Sequence, residues 1–503
     1  MFEVIDYLRK RPMLSCGVVC AVISIVGYKF PTLLFGLAVL FAVLFGIFIY
    51  KKPKSVFVIV MILAEICVLS SVVTNGNILR AEKIGESESK ITFTVYENVK
   101  TSGDYNLSFI EITDGEHSPL RVRAYYYGEV LKVGSIATAN AKFETVDEDY
   151  KISNYKDKIY LTANLKNITL APQKDGVIVA LEKVRGYIKD TVFGTVSKDE
   201  AATLLAMILG DKSYFTNEFY GNVKAAGVAH VMVVSGMHLS ILVTLVIFLT
   251  EKVVRNKFLK AIVMFSSVLF LVAICGFTTS VIRAGVMYLF YAVAILVNRR
   301  GVSENLLGAA VCAILIVSPY TVFDLSFQLS VLSTFGILSV ALPIDNYLRS
   351  REIISSKTLS AIISSILVTL SALLLTTPIT IYVFGYVSTV SVFTNLLIGF
   401  AATVSLWLAF CGLAVNLVVP GLAGLIFKVC EIILKYINFV INTFGSFSFS
   451  TVSLPKSAAY IAGFICIAVF VLLLGCKKRL DAIKLKEIRE KIISEGGKTL
   501  KWR

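Results

Sequence analysis

The chain has 503 residues, of which 56% are hydrophobic, and its mean hydropathy is +0.78. Repeated apolar runs of about 15 to 25 residues exclude a soluble globular protein and predict a polytopic α-helical membrane protein. Most of the net charge of +15 lies in 51–54, 251–260 and 477–503, short segments that lie between or after these runs. Because the positive-inside rule places cationic residues in such segments, this charge indicates topology rather than a ligand.

Residues 1–75 are predicted to contain about three membrane spans, near 13–28, 33–50 and 55–74. The basic start, "RKRPMLSCGVVCAVISIVG", imitates a signal peptide but is followed at once by a second apolar run, without a small-residue cleavage site. We therefore interpret it as an uncleaved first span with a cytoplasmic N-terminus, which places residue 76 outside the cell.

Residues 76–176 are predicted to form an extracellular all-β domain. Runs such as "KITFTVYENV" and "KIYLTANLKNITL" are rich in β-branched and aromatic residues, alternate with period two and are separated by turn signals. About five strands in such a length predict a small closed or partly open barrel, of which the oligonucleotide/oligosaccharide-binding (OB) fold is the commonest.

One predicted strand of this OB-like domain, "RVRAYYYG", carries a candidate DNA-binding face. Arg121, Arg123, Tyr125 and Tyr127 alternate on one side of it. Cationic and aromatic side chains together neutralise phosphates and stack on bases in single-strand platforms. Residues 77–176 hold thirteen Lys and Arg against fifteen Asp and Glu, however, so an ordinary barrel strand is the alternative.

Residues 177–222 are predicted to form amphipathic helices in the membrane interface. The segment "GVIVALEKVRGYIKDTVF" is apolar on one side and charged on the other. In the next helix, Ser197 and Glu200 predict a capping box, and Gly210 stands where that helix would end.

Residues 223–476 contain nine further apolar runs and are predicted to form the multi-span channel domain, followed by a basic tail at 477–503. Alternating these runs from an outside start places every basic cluster on one side of the membrane. The sequence thus predicts about twelve spans in the cytoplasmic membrane, with both termini cytoplasmic and the β domain extracellular.

Several ionisable residues fall inside the apolar runs. Because such groups are costly at bilayer depth, they normally face a bundle interior or an aqueous path. The candidates are His230, His238, Arg283, Asp324 and the cluster Lys428–Glu431–Lys435. The spacing of that cluster predicts a self-neutralising set on one helix.

Arg283, in "GFTTSVIRAGVMYLF", requires a carboxylate or a ring of carbonyl groups unless its side chain snorkels to an end of the span. Asp324, on a different span, is the predicted partner, and it shares a polar helix face with Gln328. Two compatible interpretations are an Arg–Asp clasp that fixes helix packing and a lining of a permeation path.

The run "GVAHVMVVSGMHLSIL" holds two of the three histidines in the chain, His230 and His238. Gly236 weakens the helix there and permits a break or a close backbone approach. Ser235 and His238 also suggest a Ser–His dyad, although side chains three residues apart on one helix project side by side. Pro378 and Gly385 similarly predict a broken segment before Asn395.

The sequence offers little support for enzymatic activity. It has no P-loop motif and no His/Asp cluster for a hydrolytic metal, and all nine cysteines lie in apolar runs. We therefore predict no catalytic residue, no metal and no cofactor. The alternatives are an intramembrane serine hydrolase and an exporter of a polymer or lipid whose OB-like domain binds sugar.

Five ordered motifs resemble those of the ComEC competence protein family. "GVAHVMVVSGMHL" is similar to its "GLAHLLAVSGLHV"-like signature, and "LLAMILGDKS" is similar to its "ALLLGD" stretch. "TTSVIRAGVMYL", "FDLSFQLSVLSTFGI" and "TTPITIYVFGYVS…NLL" resemble three further family segments. Six residues match the family motifs at positions where the resemblance implies a structural role: Gly210, Asp211, Gly227, Pro378, Gly385 and Asn395.

The resemblance implies a membrane channel that conducts single-stranded DNA during natural transformation. The residues that it suggests for the lining are His230, Ser235, Gly236, His238, Arg283, Asp324 and Gln328. It implies membrane lipid as surroundings, a DNA receptor protein outside and an ATP-driven DNA translocase inside. Many family members end in a metallo-β-lactamase-like domain. This chain stops 27 residues after its last predicted span without such a motif, so we expect any nuclease to come from another protein.

Overall fold

The computed structural model describes residues 11–31, 36, 55–102, 105–114, 119–171, 176–232, 234–251, 254–276, 279–296, 303–351, 356–473 and 475. The predicted span near 33–50 and the basic tail 477–503 lie outside the described residues.

Helices dominate the described chain, and a group of strands follows the second of them. The helices are α1 (Pro12–Lys29), α2 (Ser55–Ile84), α3 (Lys151–Tyr155), α4 (Val177–Thr195), α5 (Lys198–Leu209), α6 (Asn217–Ala225), α7 (Ala229–Met232), α8 (Gly236–Glu251), α9 (Lys257–Ile274), α10 (Thr279–Leu296), α11 (Ser303–Val317), α12 (Leu325–Gly336), α13 (Leu342–Ser350), α14 (Lys357–Phe384), α15 (Ser391–Asn416), α16 (Pro420–Gly445) and α17 (Lys456–Leu473). The strands are β1 (Glu88–Ser102), β2 (Tyr105–Asp114), β3 (Leu120–Tyr126), β4 (Ile136–Thr145), β5 (Ile159–Leu170), β6 (Tyr386–Ser388) and β7 (Thr451–Ser453).

Six helical segments of the described chain are long and apolar enough to cross a bilayer. They are Pro12–Lys29, Ile59–Ile84, Leu325–Ser350, Lys357–Phe384, Ser391–Asn416 and Lys456–Leu473. Four shorter apolar helices, Gly236–Leu249, Phe258–Ile274, Ser280–Ala294 and Ser303–Val317, accompany them. The chain is thus a helical membrane protein with a β domain, and the count of twelve spans stays a prediction.

The first five strands close into a barrel in the order β1-β2-β3-β5-β4, as the alternating sequence predicted. The pair β3–β5 is parallel, and the other neighbouring pairs are antiparallel. Inward side chains such as Phe93, Ile110, Val122 and Phe143 are fully buried and form the barrel core.

Only the three-residue turn 85–87 separates helix α2 from the first strand of the barrel. Ile78 and Ala81, near its C-terminal end, belong to the buried core of the barrel, together with Tyr320 from the turn that precedes α12. Barrel and helical bundle therefore share one packed joint.

Helix α5 packs inside the helical bundle, and the interfacial position predicted for 177–222 stays a prediction. Its residues 201–209 are all buried, and most of them belong to a cluster that also contains residues of α15 and α16. The predicted capping box at its start is absent, because the Ser197 hydroxyl donates to Glu431 of α16 instead of capping its own helix. Gly210 does end α5, at φ +76°.

Two predicted spans are interrupted near their glycines. The run 227–250 contains the short helix α7 and then α8, which begins at Gly236. Gly385 ends α14 at φ +73°, and the short strand β6, which pairs with β7, lies between α14 and α15. Pro378, by contrast, lies inside α14 and does not end it.

Candidate functional site

The outer surface of β3 carries the cationic and aromatic side chains that the sequence singled out. Arg121, Arg123 and Tyr125 point away from the barrel core, while the residues between them are buried. Tyr127 follows the end of the strand and is 76% exposed. The structure thus presents Arg121, Arg123 and Tyr125 together on one surface.

Further aromatic rings from neighbouring segments extend this surface, which we call the barrel face: Tyr96, Tyr105, Phe109 and Tyr150 join Arg121, Arg123 and Tyr125. The Arg121 guanidinium lies 5.2 Å from the Tyr96 ring centre. That of Arg123 lies 5.4 Å from Tyr125 and 5.6 Å from Tyr150. Cation–π contacts of this kind hold the guanidinium groups beside flat aromatic surfaces.

Tyr125 is a neutral member of the barrel face. Burial raises the pKa of its phenol, and the nearby Arg123 opposes that shift. Because the phenol stays protonated at neutral pH, the ring adds stacking surface without adding negative charge.

Asp324 fastens the barrel to α12 and does not contact Arg283, so the predicted Arg–Asp clasp is wrong. Its Oδ1 accepts from Lys156 Nζ of the barrel at 2.7 Å, and its Oδ2 accepts from the Phe327 N–H at 3.0 Å. The Ser318 hydroxyl also donates to the Lys156 carbonyl, at 2.7 Å. Both carboxylate oxygens are therefore occupied at the start of α12, by a helix cap and by the barrel.

A cluster of tyrosines completes this joint. The Tyr320 ring lies 5.4 Å from that of Tyr155 in the barrel and 5.6 Å from that of Tyr28 in α1, in edge-to-face geometry. Its hydroxyl donates to Asn75 Oδ1 of α2 at 3.1 Å. One side chain thus contacts the barrel and two helices, which makes independent motion of the barrel costly.

Arg283 on α10 is 5% exposed. Its Nε donates to Ser330 Oγ of α12 at 3.0 Å, and its Nη1 lies 3.2 Å from Met287 Sδ. A Cβ atom on Gly236 would lie 2.9 Å from Nη2, so the missing side chain of Gly236 lets the guanidinium pass directly over the start of α8. The structure therefore brings Arg283 and Gly236 together.

Ser235 and His238 form a helix cap. The Ser235 hydroxyl accepts from the Met237 N–H at 3.2 Å, while His238 Nδ1 accepts from the Ser235 N–H at 3.0 Å. This is the reciprocal arrangement of a capping box, with histidine in the position usually held by Glu or Gln. The hydroxyl is also 3.1 Å from Nδ1, which is the contact expected of a Ser–His dyad.

The capping geometry argues against that dyad. Because Nδ1 already accepts a backbone N–H, the proton of the neutral ring lies on Nε2. Nε2 is buried and makes no hydrogen bond within the described chain. No carboxylate of the described residues orients the ring, as a hydrolytic triad would require.

The remaining motif residues are distributed among other contacts. The His230 ring is exposed, and Gln328 donates to the Val322 carbonyl at 2.9 Å, close to the start of its own helix. Asn395 Oδ1 is buried without a hydrogen-bond partner in the described segments. Gly227, at φ +72°, packs against Ser388 and Ser391, where a Cβ atom would not fit. These residues do not converge with Arg283 on one centre.

Asp211 anchors the turn after α5. Its carboxylate lies 2.9 Å from Lys189 Nζ and accepts the Ser213 N–H at 3.0 Å. Burial alone would raise the pKa of Asp211, but these hydrogen bonds outweigh it and the pKa is lowered. The motif aspartate therefore holds α4 to the turn as a carboxylate.

Sequence reasoning missed several residues of these contacts. Lys156 gives no local signal, because its partner is 168 positions away. Glu65 in α2 could have been found, since it is a carboxylate in an apolar run, and its Oε2 is buried without a hydrogen-bond partner among described residues. The added aromatic residues of the barrel face depend on strand register, which a single sequence does not specify.

Comparison with known proteins places these motifs in a family. The competence protein family model matches residues 207–479. Over 336 residues the chain is 22% identical to ComE operon protein 3 of Bacillus subtilis (strain 168), covering 66% of this chain and 41% of that protein. The chain thus spans less than half the length of this relative. No solved structure matches the chain. Because the matched region exceeds half of the chain and includes Gly236, Arg283 and Asp324, the chain belongs to the ComEC family of competence proteins.

Proposed function

We propose that this protein is a membrane conduit for single-stranded DNA in bacterial competence. The barrel face receives the strand, and the helical bundle conducts it across the cytoplasmic membrane. The observation that carries the proposal is the barrel face, on which two guanidinium groups lie beside several aromatic rings. Membership of the competence family supports DNA as the polymer, since phosphate neutralisation and base stacking suit a single strand of any sequence.

The proposal includes a topology of twelve spans with both termini cytoplasmic and an OB-type barrel outside. The long apolar segments, the shorter apolar helices and the 26-residue helix α16 support this count. In α16, Glu431 and Lys435 pair at 2.8 Å, as their spacing predicted. Fusions of a periplasm-active and a cytoplasm-active reporter after each span test the arrangement, and a barrel that labels as cytoplasmic would contradict it.

We further propose that the conduit does no chemistry itself. A DNA receptor outside delivers the strand, an ATP-driven translocase inside pulls it, and a separate nuclease degrades the complementary strand. Co-purification of the full chain with DNA-binding and ATP-hydrolysing partners from competent cells tests these associations. Uptake that proceeds in proteoliposomes holding this chain alone would contradict the need for a motor.

The barrel face is tested by a matched pair of substitutions in the full chain. Arg121 is 48% exposed and lies 3.9 Å from Glu111, whereas Lys142, on another side of the barrel, is 52% exposed and lies 3.9 Å from Glu144. The double variant Arg121→Gln, Arg123→Gln is expected to bind a single strand on the order of tenfold more weakly, or about 1.4 kcal/mol. Lys142→Gln is the control and should bind as the wild type does.

The same measurement separates DNA uptake from polymer export. Binding of a labelled single strand to the reconstituted protein should weaken as salt rises, because counterions are released from the phosphates. A neutral glycan should neither bind nor compete. Tight glycan binding that the Arg121→Gln, Arg123→Gln variant reduces, with no binding of DNA, would favour the sugar-binding exporter.

The Ser235–His238 contact keeps an intramembrane serine hydrolase as a second candidate. Its distinguishing test is an activity-based fluorophosphonate, which would label Ser235 in the wild type and not in Ser235→Ala. We expect no labelling, because the histidine nitrogen facing the hydroxyl already accepts a backbone N–H.

A further inference from the structure

Arg283 carries a buried positive charge without a negative partner in the described chain. The side chain is 5% exposed, and its contacts are a serine hydroxyl and a thioether. Nη2 has no hydrogen-bond partner among the described residues. Asp324, the carboxylate that the sequence predicted as its partner, is engaged by Lys156 and by the cap of α12. Since a buried charge is costly unless it is paired, this guanidinium is suited to bind an anion.

A second positive feature lies against the guanidinium. Helix α8 begins at Gly236, and the space that a Cβ atom on Gly236 would occupy is 2.9 Å from Arg283 Nη2. The N-terminus of a 16-residue helix carries a partial positive charge, and the neutral Ser235 hydroxyl that caps the Met237 N–H brings no negative charge to it. A cation at this end of a helix is repelled, unless an anion binds to both.

Hydroxyl groups lie next to the guanidinium and to the start of α8. Ser280 and Ser330 are 3.0 Å apart, Oγ to Oγ, and Ser330 also contacts Arg283. Ser235 directly precedes the start of α8. All three serines are only partly buried, so polar groups near the buried guanidinium remain partly accessible.

We propose that Arg283, the N-terminus of α8 and the hydroxyls of Ser280 and Ser330 form a binding site for a phosphate-class oxyanion. Guanidinium groups and helix N-termini both favour phosphate, the first through its forked N–H donors and the second through its dipole. Within the conduit the anion is a backbone phosphodiester of the single strand, an identification that rests on the proposed function. The site recognises the charge of the backbone and is indifferent to the base.

The oxyanion site is tested first without DNA. Thermal unfolding of the purified full chain is measured in sodium phosphate and in sodium chloride of equal ionic strength. Phosphate is expected to raise the Tm of the wild type, because a ligand that binds only the folded state stabilises it. Arg283→Gln should abolish the rise, while Arg349→Gln, at an exposed arginine paired with Asp345, should retain it.

The change in Tm that Arg283→Gln causes in sodium chloride is a second readout. Removal of an unpaired buried charge should leave the Tm unchanged or raise it. A large fall in Tm or a failure to fold would reveal a hidden counter-charge and overturn the proposal, as would an equal phosphate shift in the variant. Gly236→Ala places a methyl group against Nη2 and should weaken the phosphate shift while Arg283 is retained.

Binding of a short single strand to the reconstituted protein distinguishes the two sources of phosphate. Loss of one phosphate contact should lower the slope of log K against log salt by about 0.7 in Arg283→Gln. A phosphate shift without any DNA binding would keep the oxyanion site and contradict the conduit. DNA binding with an unchanged slope and no phosphate shift would keep the conduit and contradict the site.

Discussion

Replacement of Asp324 by Asn is expected to separate its two roles at the joint between barrel and bundle. Asn still accepts the Phe327 N–H as a helix cap, but it loses the charged contact with Lys156 at 2.7 Å. The Asp324 and Lys156 side chains are 10% and 22% exposed, respectively. Because both are largely buried, their charge-assisted hydrogen bond contributes about 1.5 kcal/mol. Asp324→Ala also removes the cap and should cost about 2.5 kcal/mol in total.

A double-mutant cycle identifies the partner of Asp324. Equilibrium unfolding of the full chain in mixed micelles is measured for Lys156→Met, Asp324→Asn and the double variant. The coupling between them should be about 1 to 1.5 kcal/mol, whereas Arg283→Gln and Asp324→Asn should be additive within about 0.5 kcal/mol. Additivity of the Lys156 pair, or strong coupling of the Arg283 pair, would refute the joint and restore the Arg–Asp clasp.

Substitutions at His238, Asp211 and Gly227 test local features by thermal unfolding of the full chain. His238→Gln should be nearly neutral because Gln also serves in a capping box, while His238→Leu should cost about 1 kcal/mol; equal costs would contradict the cap. Asp211→Asn should cost about 1 kcal/mol at neutral pH. Because the pKa of Asp211 is lowered, this stability is present above about pH 4 and is lost as pH falls further, so a pH-independent difference would contradict the pairing with Lys189. Gly227→Ala should cost about 2 kcal/mol or more, whereas Gly221→Ala, in open space on α6, should be tolerated; a neutral Gly227→Ala would contradict the close approach.

Features with a local cause could be predicted from the sequence. The barrel follows from period-two alternation, which each strand carries by itself, and the end of α5 follows from Gly210, whose left-handed backbone favours glycine. The barrel face was only partly foreseen. Arg121 and Arg123 share one strand, but Tyr96 joins them through strand register, which depends on the whole sheet.

Long-range partners could not be predicted in the same way. The need of Arg283 for a counter-charge is evident from its apolar surroundings, but the choice of Asp324 relied on proximity of motifs. Asp324 lies at a helix start, where a backbone N–H and Lys156 compete for its oxygens. A similar competition between hydrogen-bond partners determines the helix caps at Ser197 and Ser235. The Ser197 hydroxyl bonded to Glu431 across helices, while His238 supplied the acceptor near Ser235 that the usual Glu or Gln provides elsewhere.

The short connection between α2 and the barrel has a consequence for how strongly each part must bind. Ile78 and Ala81 are core residues of the barrel although they belong to a membrane-spanning helix, so the connection has no flexible linker. Two binding modules joined by a linker are coupled through an effective concentration that falls as the linker lengthens and explores space. Here the geometry of one helix sets that concentration. In the proposed conduit, a strand held weakly at the barrel is therefore presented to the bundle again after each release, and weak contacts that release quickly suit a strand that has to move.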